Sequence, residues 1–254
     1  MKKKNNDKFV DKKVKNKKYN INLLNNLNDE ELNNLDYEQS IVMDKRTFLQ
    51  YYFSLLKKKH LILFAFSRMN DYNLIVAKIS LLLLSFSLYF NINGFFFTDE
   101  TMKEINNDFG KYNIISQIPQ ILLSFLISSI INTILKLLSI SEKRILVLKK
   151  EKEIKAAEKK SIDLKKCIKI KLAIFFIIGF LLMSFFWYYI SCFCAAYKNT
   201  QLILIKDTLI SFGISMIYPF GLNLLPGIFR ISAIRAPKKD KNCLYKFSQF
   251  ISLV

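Results

Sequence analysis

One histidine in 254 residues excludes more function classes than any other scarcity in this chain. His60 stands beside three lysines in KKKH (57–60), so a histidine metal site or a paired histidine base has no second residue to draw on. Four cysteines (Cys167, Cys192, Cys194 and Cys243) are too few and too scattered for a disulfide framework, and Cys192 with Cys194 cannot close a zinc site. Cys167 and Cys243 lie in basic stretches where reversible palmitoylation is chemically open. No phosphate loop, dinucleotide fingerprint or nucleophile elbow occurs. The sequence therefore predicts no enzyme, no cofactor and no metal. A cleaved secretory signal is not expected either, because MKKKNNDKFVDKKVKNKK runs into polar sequence rather than an apolar core.

Glycine and proline are also scarce, at 6 and 4. Gly213, Gly221, Gly227, Pro219 and Pro226 all fall in the apolar stretch IKDTLISFGISMIYPFGLNLLPGIFR (205–230). That clustering predicts a helix that kinks or ends near Tyr218–Pro219, followed by a turn at Pro226–Gly227 and an interfacial anchor at Arg230.

What the chain has in abundance is apolar sequence (52%) together with lysine, and the two are segregated. Four stretches approach the ~20 apolar residues that cross a ~30 Å hydrocarbon layer. They lie near 73–97, 113–138, 172–194 and 203–229. Spanning segments of this kind must be helical, since an open strand would leave its backbone unpaired in lipid. The fold class is all-α: an integral membrane four-helix bundle with a cytosolic helical loop and an interfacial helix.

A net charge of +19 would point to nucleic acid in a soluble protein, but its placement points elsewhere. Lys and Arg number 15 in residues 1–72, 2 in 98–112, 12 in 139–171, 2 in 195–207 and 6 in 230–254. The positive-inside rule then places both termini and the loop 139–171 in the cytosol, with no nucleic-acid partner. Trp187, Tyr188, Tyr189 and Tyr197 at the opposite end of the third span suit an aromatic belt. The expected partners are the bilayer, anionic lipid headgroups on the cytosolic side, and copies of this chain or other membrane subunits.

The organisation expected is a disordered basic tail with a short helix over 1–43, an interfacial amphipathic helix over 44–72, the membrane domain over 73–230, and a cytosolic tail over 231–254. Asn28 with Glu31, and Thr47 with Gln50, have the spacing of capping boxes. The loop 139–171 has neither Gly nor Pro and predicts two helical arms, the second capped at Ser161.

Candidate site residues are polar ones in apolar surroundings. The second span carries Ser116, Gln120, Ser124, Ser128, Asn132 and Lys136, one every four residues, the residue types of a helix–helix seam or of a conduit lining. Asp207 is the only acid within or bordering a span, and an acid there is a functional candidate by default. It is expected at the interface beside Lys206, with Ser211, Gly213 and Ser215 forming a close-packing patch below it. Lys78 and Lys136 are expected to snorkel to the cytosolic face.

The segments FNINGFFFTDETM (90–102), CAAYKNTQLILIKDTLISFG (194–213) and YPFGLNLLPGIFR (218–230) resemble the C-terminal multi-span membrane modules of large uncharacterised proteins of unicellular eukaryotes. The resemblance covers roughly residues 44 to 250 and implies a topology but no chemistry. It is compatible with this chain being the anchor part of something longer. The function expected is a structural, anchoring or assembly module; the alternative is a channel or transporter subunit with its conduit near the second and fourth spans.

Overall fold

The computed structural model describes residues 27–67, 71–107, 109, 111, 113–149, 154–197, 200–235 and 241–253. The described residues are helical, with no strands. Four short helices come first: α1 (Asp29–Asn33), α2 (Tyr37–Met43), α3 (Phe48–Lys59) and α4 (Leu61–Phe66). The long elements are α5 (Ile75–Phe95), α7 (Ile114–Ser139), α9 (Ile154–Ala196) and α10 (Gln201–Leu222). Between and after them come α6 (Asp99–Asn107), α8 (Glu142–Lys149), α11 (Leu224–Arg235) and α12 (Asn242–Leu253).

Four helices are long and apolar enough to cross a membrane, at Ile75–Phe95, within Ile114–Lys149, within Lys155–Ala196 and within Gln201–Arg235. They run up and down, so the lysine-rich segments gather at one end of the bundle, here the basic end. α5 is the central helix and packs on α7, α9 and α10. In its most apolar window 44% is buried, against 17% for the window in α9, which therefore turns most of its surface outward. The main apolar core sits toward the basic end, where Phe64, Ala77, Leu81, Leu84, Leu135 and Phe175 meet.

Residues 1–26 lie outside the described residues, and with them most of the expected basic tail. From residue 27 onward the N-terminal segment is built structure. Asn28 accepts from the Glu31 N–H at 2.8 Å, while Glu31 accepts from the Asn28 N–H at 2.9 Å, a complete capping box. Thr47 and Gln50 form another at the start of α3.

The single interfacial helix expected over 44–72 is two helices. His60 ends α3, and its Nδ1 accepts the Leu63 N–H at 3.3 Å to cap α4. Tyr51, Leu55 and Leu56 of α3 are buried, Tyr51 and Leu55 against Ile231 of α11, while Leu49 and Phe53 stay exposed. The tail after 230 also folds back: α12 packs on α11 and α2, with Tyr245 buried beside Ala233 and Ile234.

Arg230 joins these pieces. Its side chain is fully buried, as is that of Asp44, and its Nη2 donates to Asp44 Oδ2 at 2.9 Å and to the Leu32 carbonyl at 2.7 Å. Nη1 reaches the Asn33 carbonyl at 3.3 Å. The guanidinium also lies over the rings of Tyr51 (5.0 Å) and Tyr245 (4.8 Å), so it touches α2, α3 and α12 together. It is a buried tie between α11, which follows the fourth apolar helix, and the segments holding α1 to α3 and α12.

The helix end expected near Tyr218–Pro219 falls three residues past Pro219. α10 continues through Pro219 to Leu222 and turns at Asn223, whose Nδ2 donates to the Pro219 carbonyl at 2.7 Å. Pro226 and Gly227 are not a turn but the first turn of α11, where a proline gives up no intrahelical hydrogen bond. The second arm of the basic loop begins before Ser161, because α9 is continuous from Ile154. Ser161 is thus inside a helix that extends roughly 27 Å beyond residue 171, at 1.5 Å per residue.

The glycines differ in what they do. A Cβ on Gly213 or Gly221 would meet nothing within 4 Å, so neither marks a close approach. On Gly227 it would stand 2.7 Å from Phe48 Cε2. We expect Gly213→Ala to raise thermal stability in detergent slightly, by the helix propensity of about 0.5–1 kcal/mol. Gly227→Ala should lower it, and equal effects from the two would refute this assignment of roles.

Candidate functional site

Three of the four long helices carry polar side chains at a spacing of four. α5 has Ser85, Tyr89 and Asn93; α7 has Gln120, Ser124, Ser128 and Asn132; α10 has Asp207, Ser211 and Ser215. A step of four advances roughly 40° around a helix of 3.6 residues per turn, so each stripe turns slowly across its face. On α7 it is deepest at Ser124 and Ser128, both 0% exposed, and half-buried at Gln120 and Asn132. Ser116, at the far end of the stripe, has turned out to the surface.

The stripes meet along the contacts of α5, α7 and α10. Near the end of the bundle opposite the lysines, Asn93 Nδ2 donates to Ser211 Oγ at 2.8 Å, and Ser211 Oγ donates to the Asp207 carbonyl at 2.8 Å. Gln120 Nε2 stands 3.4 Å from both Asp207 Oδ2 and the Asn93 carbonyl. Deeper, Tyr89 OH and Ser129 Oγ are 3.3 Å apart, and Ser85 Oγ donates to Asn132 Oδ1 at 2.7 Å. At the basic end Lys136 Nζ donates to the Lys58 carbonyl at 2.8 Å, and Lys78 pairs with Asp71 at 2.6 Å. Lys78 reaches back toward the basic end but is covered there by protein: it is only 3% exposed and lies over the Phe64 ring.

The structure thus brings Ser124, Ser128, Asn132, Asp207, Ser211 and Ser215 onto one axis and leaves Gly213 off it. Asp207 is covered by protein rather than open at the mouth of its helix. It is 0% exposed and six residues past the start of α10, roughly 9 Å down the helix. Tyr89, Asn93 and Gln117 were missed in the sequence. The signal was there in the spacing of 85, 89 and 93, which repeats that of the second span.

A cavity lies at each end of this column. The one at the far end, about 370 Å³, is lined by Ser116, Gln117 and Ile203 with Asn107, Lys111 and Asn113 at its rim. Gln117 and Ile203 are each one helical turn from Gln120 and Asp207. The one at the basic end, about 320 Å³, is lined by Asp29, Glu30, Lys57, Lys58, Asp71 and Glu142. Along the column several buried polar atoms have no partner: Asn93 Oδ1, Gln117 Oε1, Ser124 Oγ, Ser128 Oγ and Thr208 Oγ1.

No family model matches the chain, and no curated protein or solved structure matches it. The functional reading therefore rests on geometry and charge alone.

Glu142, in the basic-end cavity, has a strongly displaced carboxyl. Burial, and then the neighbouring Glu30 charge, push it up to about 7, with Lys58 opposing. A carboxyl raised above its unfolded value costs stability as pH rises from its unfolded range through 7, and the cost persists above that. We expect the unfolding midpoint of the purified protein to be higher at pH 6 than at pH 8. Glu142→Gln should remove that difference and stabilise the protein at pH 8 by about 1 kcal/mol or more. An unchanged pH profile in the variant would show that the slope arises elsewhere.

Proposed function

We propose that this chain is a multi-pass membrane protein serving as a structural and assembly module, without catalysis of its own. Its basic end faces the cytosol, following the distribution of lysine and arginine. The observation that carries the reading is the Arg230 tie. It fastens α1 to α3 and α12 to the end of the fourth apolar helix, so the segments 29–66 and 242–253 form one platform at the basic end of the bundle. The exposed, lysine-rich arm of α9 and the lysines of α3 suit anionic headgroups and cytosolic partners, and the outward apolar face of α9 suits lipid or a neighbouring membrane helix. The one histidine is occupied as a helix cap and packs edge-on against Phe220, 5.1 Å between ring centres.

One observation favours a second reading, a channel or transporter subunit. Asp207 is fully buried in a polar column that has a cavity at either end. Tracer flux and electrical recording on the purified protein in liposomes separate the two. The structural reading expects no specific conductance in the wild type, and a conductance that changes in Asp207→Asn would defeat it. Orientation has its own test in intact cells: a cysteine placed between 150 and 160 should resist impermeant reagents from outside, and strong external labelling would reverse the topology.

A further inference from the structure

We propose that Arg144 and Lys171 hold the phosphomonoester of one anionic lipid, seated where the second and third apolar helices leave the bilayer at the basic end. This deepens the proposed function and rests on the reading that this end lies against a membrane surface.

Two contacts join the junction of α7 and α8 to α9. Arg144 Nη1 donates to Cys167 Sγ, and Lys171 Nζ donates to the Ile140 carbonyl. Cys167 and Lys171 are one turn apart on the same face of α9, and Arg144 follows Ile140 by four residues. The two crossings bring both cations to the same junction, close enough for their charges to repel. Among the described residues no ion pair joins either to a carboxylate. The thiol that Arg144 meets is a weak acceptor, and the exposed guanidinium keeps further N–H groups to offer.

Depth and charge decide the partner. Ile140 stands just past the apolar stretch that ends at 138, and Lys171 just before the one that begins at 172. With these helices crossing the bilayer, both residues are at headgroup level. Ile170, Ile174 and Ile177 continue along one face of α9 from there, 61%, 44% and 60% exposed. A lipid covers that strip with an acyl chain, which free phosphate does not. Two cations suit a group near −2. A phosphomonoester carries about −1.5 to −2 at pH 7, whereas a diester headgroup phosphate carries a single charge. The planar fork of Arg144 suits two phosphate oxygens side by side, and Lys171 adds a point charge. Lys159 and Lys155 stand roughly 18 and 24 Å farther along the continuous helix, beyond the Debye length of about 8 Å, so they serve no ligand at this depth.

The test uses the full chain in a neutral detergent, titrated with phosphatidic acid, phosphatidylserine and phosphatidylcholine of the same acyl chains. Bound lipid is counted by native mass spectrometry. One phosphatidic acid per chain is expected at saturation, bound at least tenfold more tightly than phosphatidylserine. Arg144→Gln with Lys171→Gln should weaken it at least tenfold. Lys155→Gln with Lys159→Gln removes the same charge from the distal arm and should leave it within twofold. If the first pair does not fold, Arg144→Gln alone, at an exposed position, should still cost at least fivefold. Inorganic phosphate should displace the lipid no more than chloride does at equal ionic strength; stronger displacement would make this a site for free phosphate and overturn the proposal. Equal losses in the two double variants would reduce the binding to diffuse charge, and equal affinity for phosphatidylserine would remove the phosphomonoester; either result overturns it. Binding in micelles does not depend on the direction of insertion. These failures therefore leave the topology standing, and external labelling between 150 and 160 would reverse the topology without altering the site.

Discussion

Arg230→Met should release the platform at the basic end while leaving the four spans inserted. The wild-type guanidinium satisfies a buried carboxylate, two main-chain carbonyls and two aromatic faces at once. Methionine fills the space but leaves the Leu32 and Asn33 carbonyls without donors. Asp44 keeps Arg46, whose Nε donates to Oδ1 at 2.8 Å, so the carboxylate is weakened rather than stranded. Removing one partner of a buried pair costs about 3–5 kcal/mol. Amide exchange in 29–66 and 242–253 should then quicken by roughly 10²–10³-fold, with exchange in α5, α7 and α10 little changed. Arg230→Lys should recover only part of the loss, because one ammonium cannot replace a flat fork that bonds several acceptors and covers two rings. Unaltered exchange in the platform would mean that the tie contributes nothing.

The same pair also sets a pH expectation. Burial alone would raise the Asp44 carboxyl, but Arg46 and Arg230 together hold it below the ordinary carboxylate value. A lowered carboxyl contributes stability that is present above its unfolded value and lost as pH falls through its folded value. The platform should therefore hold between pH 5 and 8 and loosen only in acid, about pH 4 and below.

The second large effect is expected in the seam of α7. Ser124 and Ser128 lie where α7 meets its neighbours, at 0% exposure, and leucine there has no space. Overpacking costs about 1–3 kcal/mol at each position. Ser124→Leu with Ser128→Leu should lower the unfolding midpoint in detergent by more than either alone, and should disturb the Tyr89–Ser129 and Ser85–Asn132 pairs on either side. Alanine at the same positions should be harmless or mildly stabilising, since both hydroxyls lack partners and nothing is stranded by their loss. Ile130→Leu, on the exposed face of the same helix, is the control. If the double leucine variant melts like the wild type, α7 does not pack as described.

The readable parts of this protein were those ruled by neighbours along the chain. Two capping boxes were legible because both partners lie three residues apart. The uninterrupted arms of the basic loop followed from the absence of Gly and Pro. Pro219 marked the end of its helix only to within a turn. A proline inside a helix forfeits its hydrogen bond to the carbonyl four residues earlier, here that of Ser215, yet the helix runs on for three more residues to Leu222 before Asn223 closes it.

Sequence by itself determined an all-helical chain with four helices long and apolar enough to cross a membrane, and the separation of lysine-rich from apolar stretches. Helix length is set against hydrocarbon thickness, and charge is excluded from it, so both constraints act residue by residue along the chain. Only the tertiary structure decided which face of each helix turns inward. In water the apolar stripe of a helix marks its buried side. In helices apolar enough to cross a membrane the outward and core-facing surfaces are both apolar, so their orientation is left to a few polar residues and to packing. That is why the burial of Asp207 among Asn93, Gln120 and Ser211 could not be read from the chain. It is also why Arg230 found Asp44 at a separation of 186 residues, which no local spacing can encode.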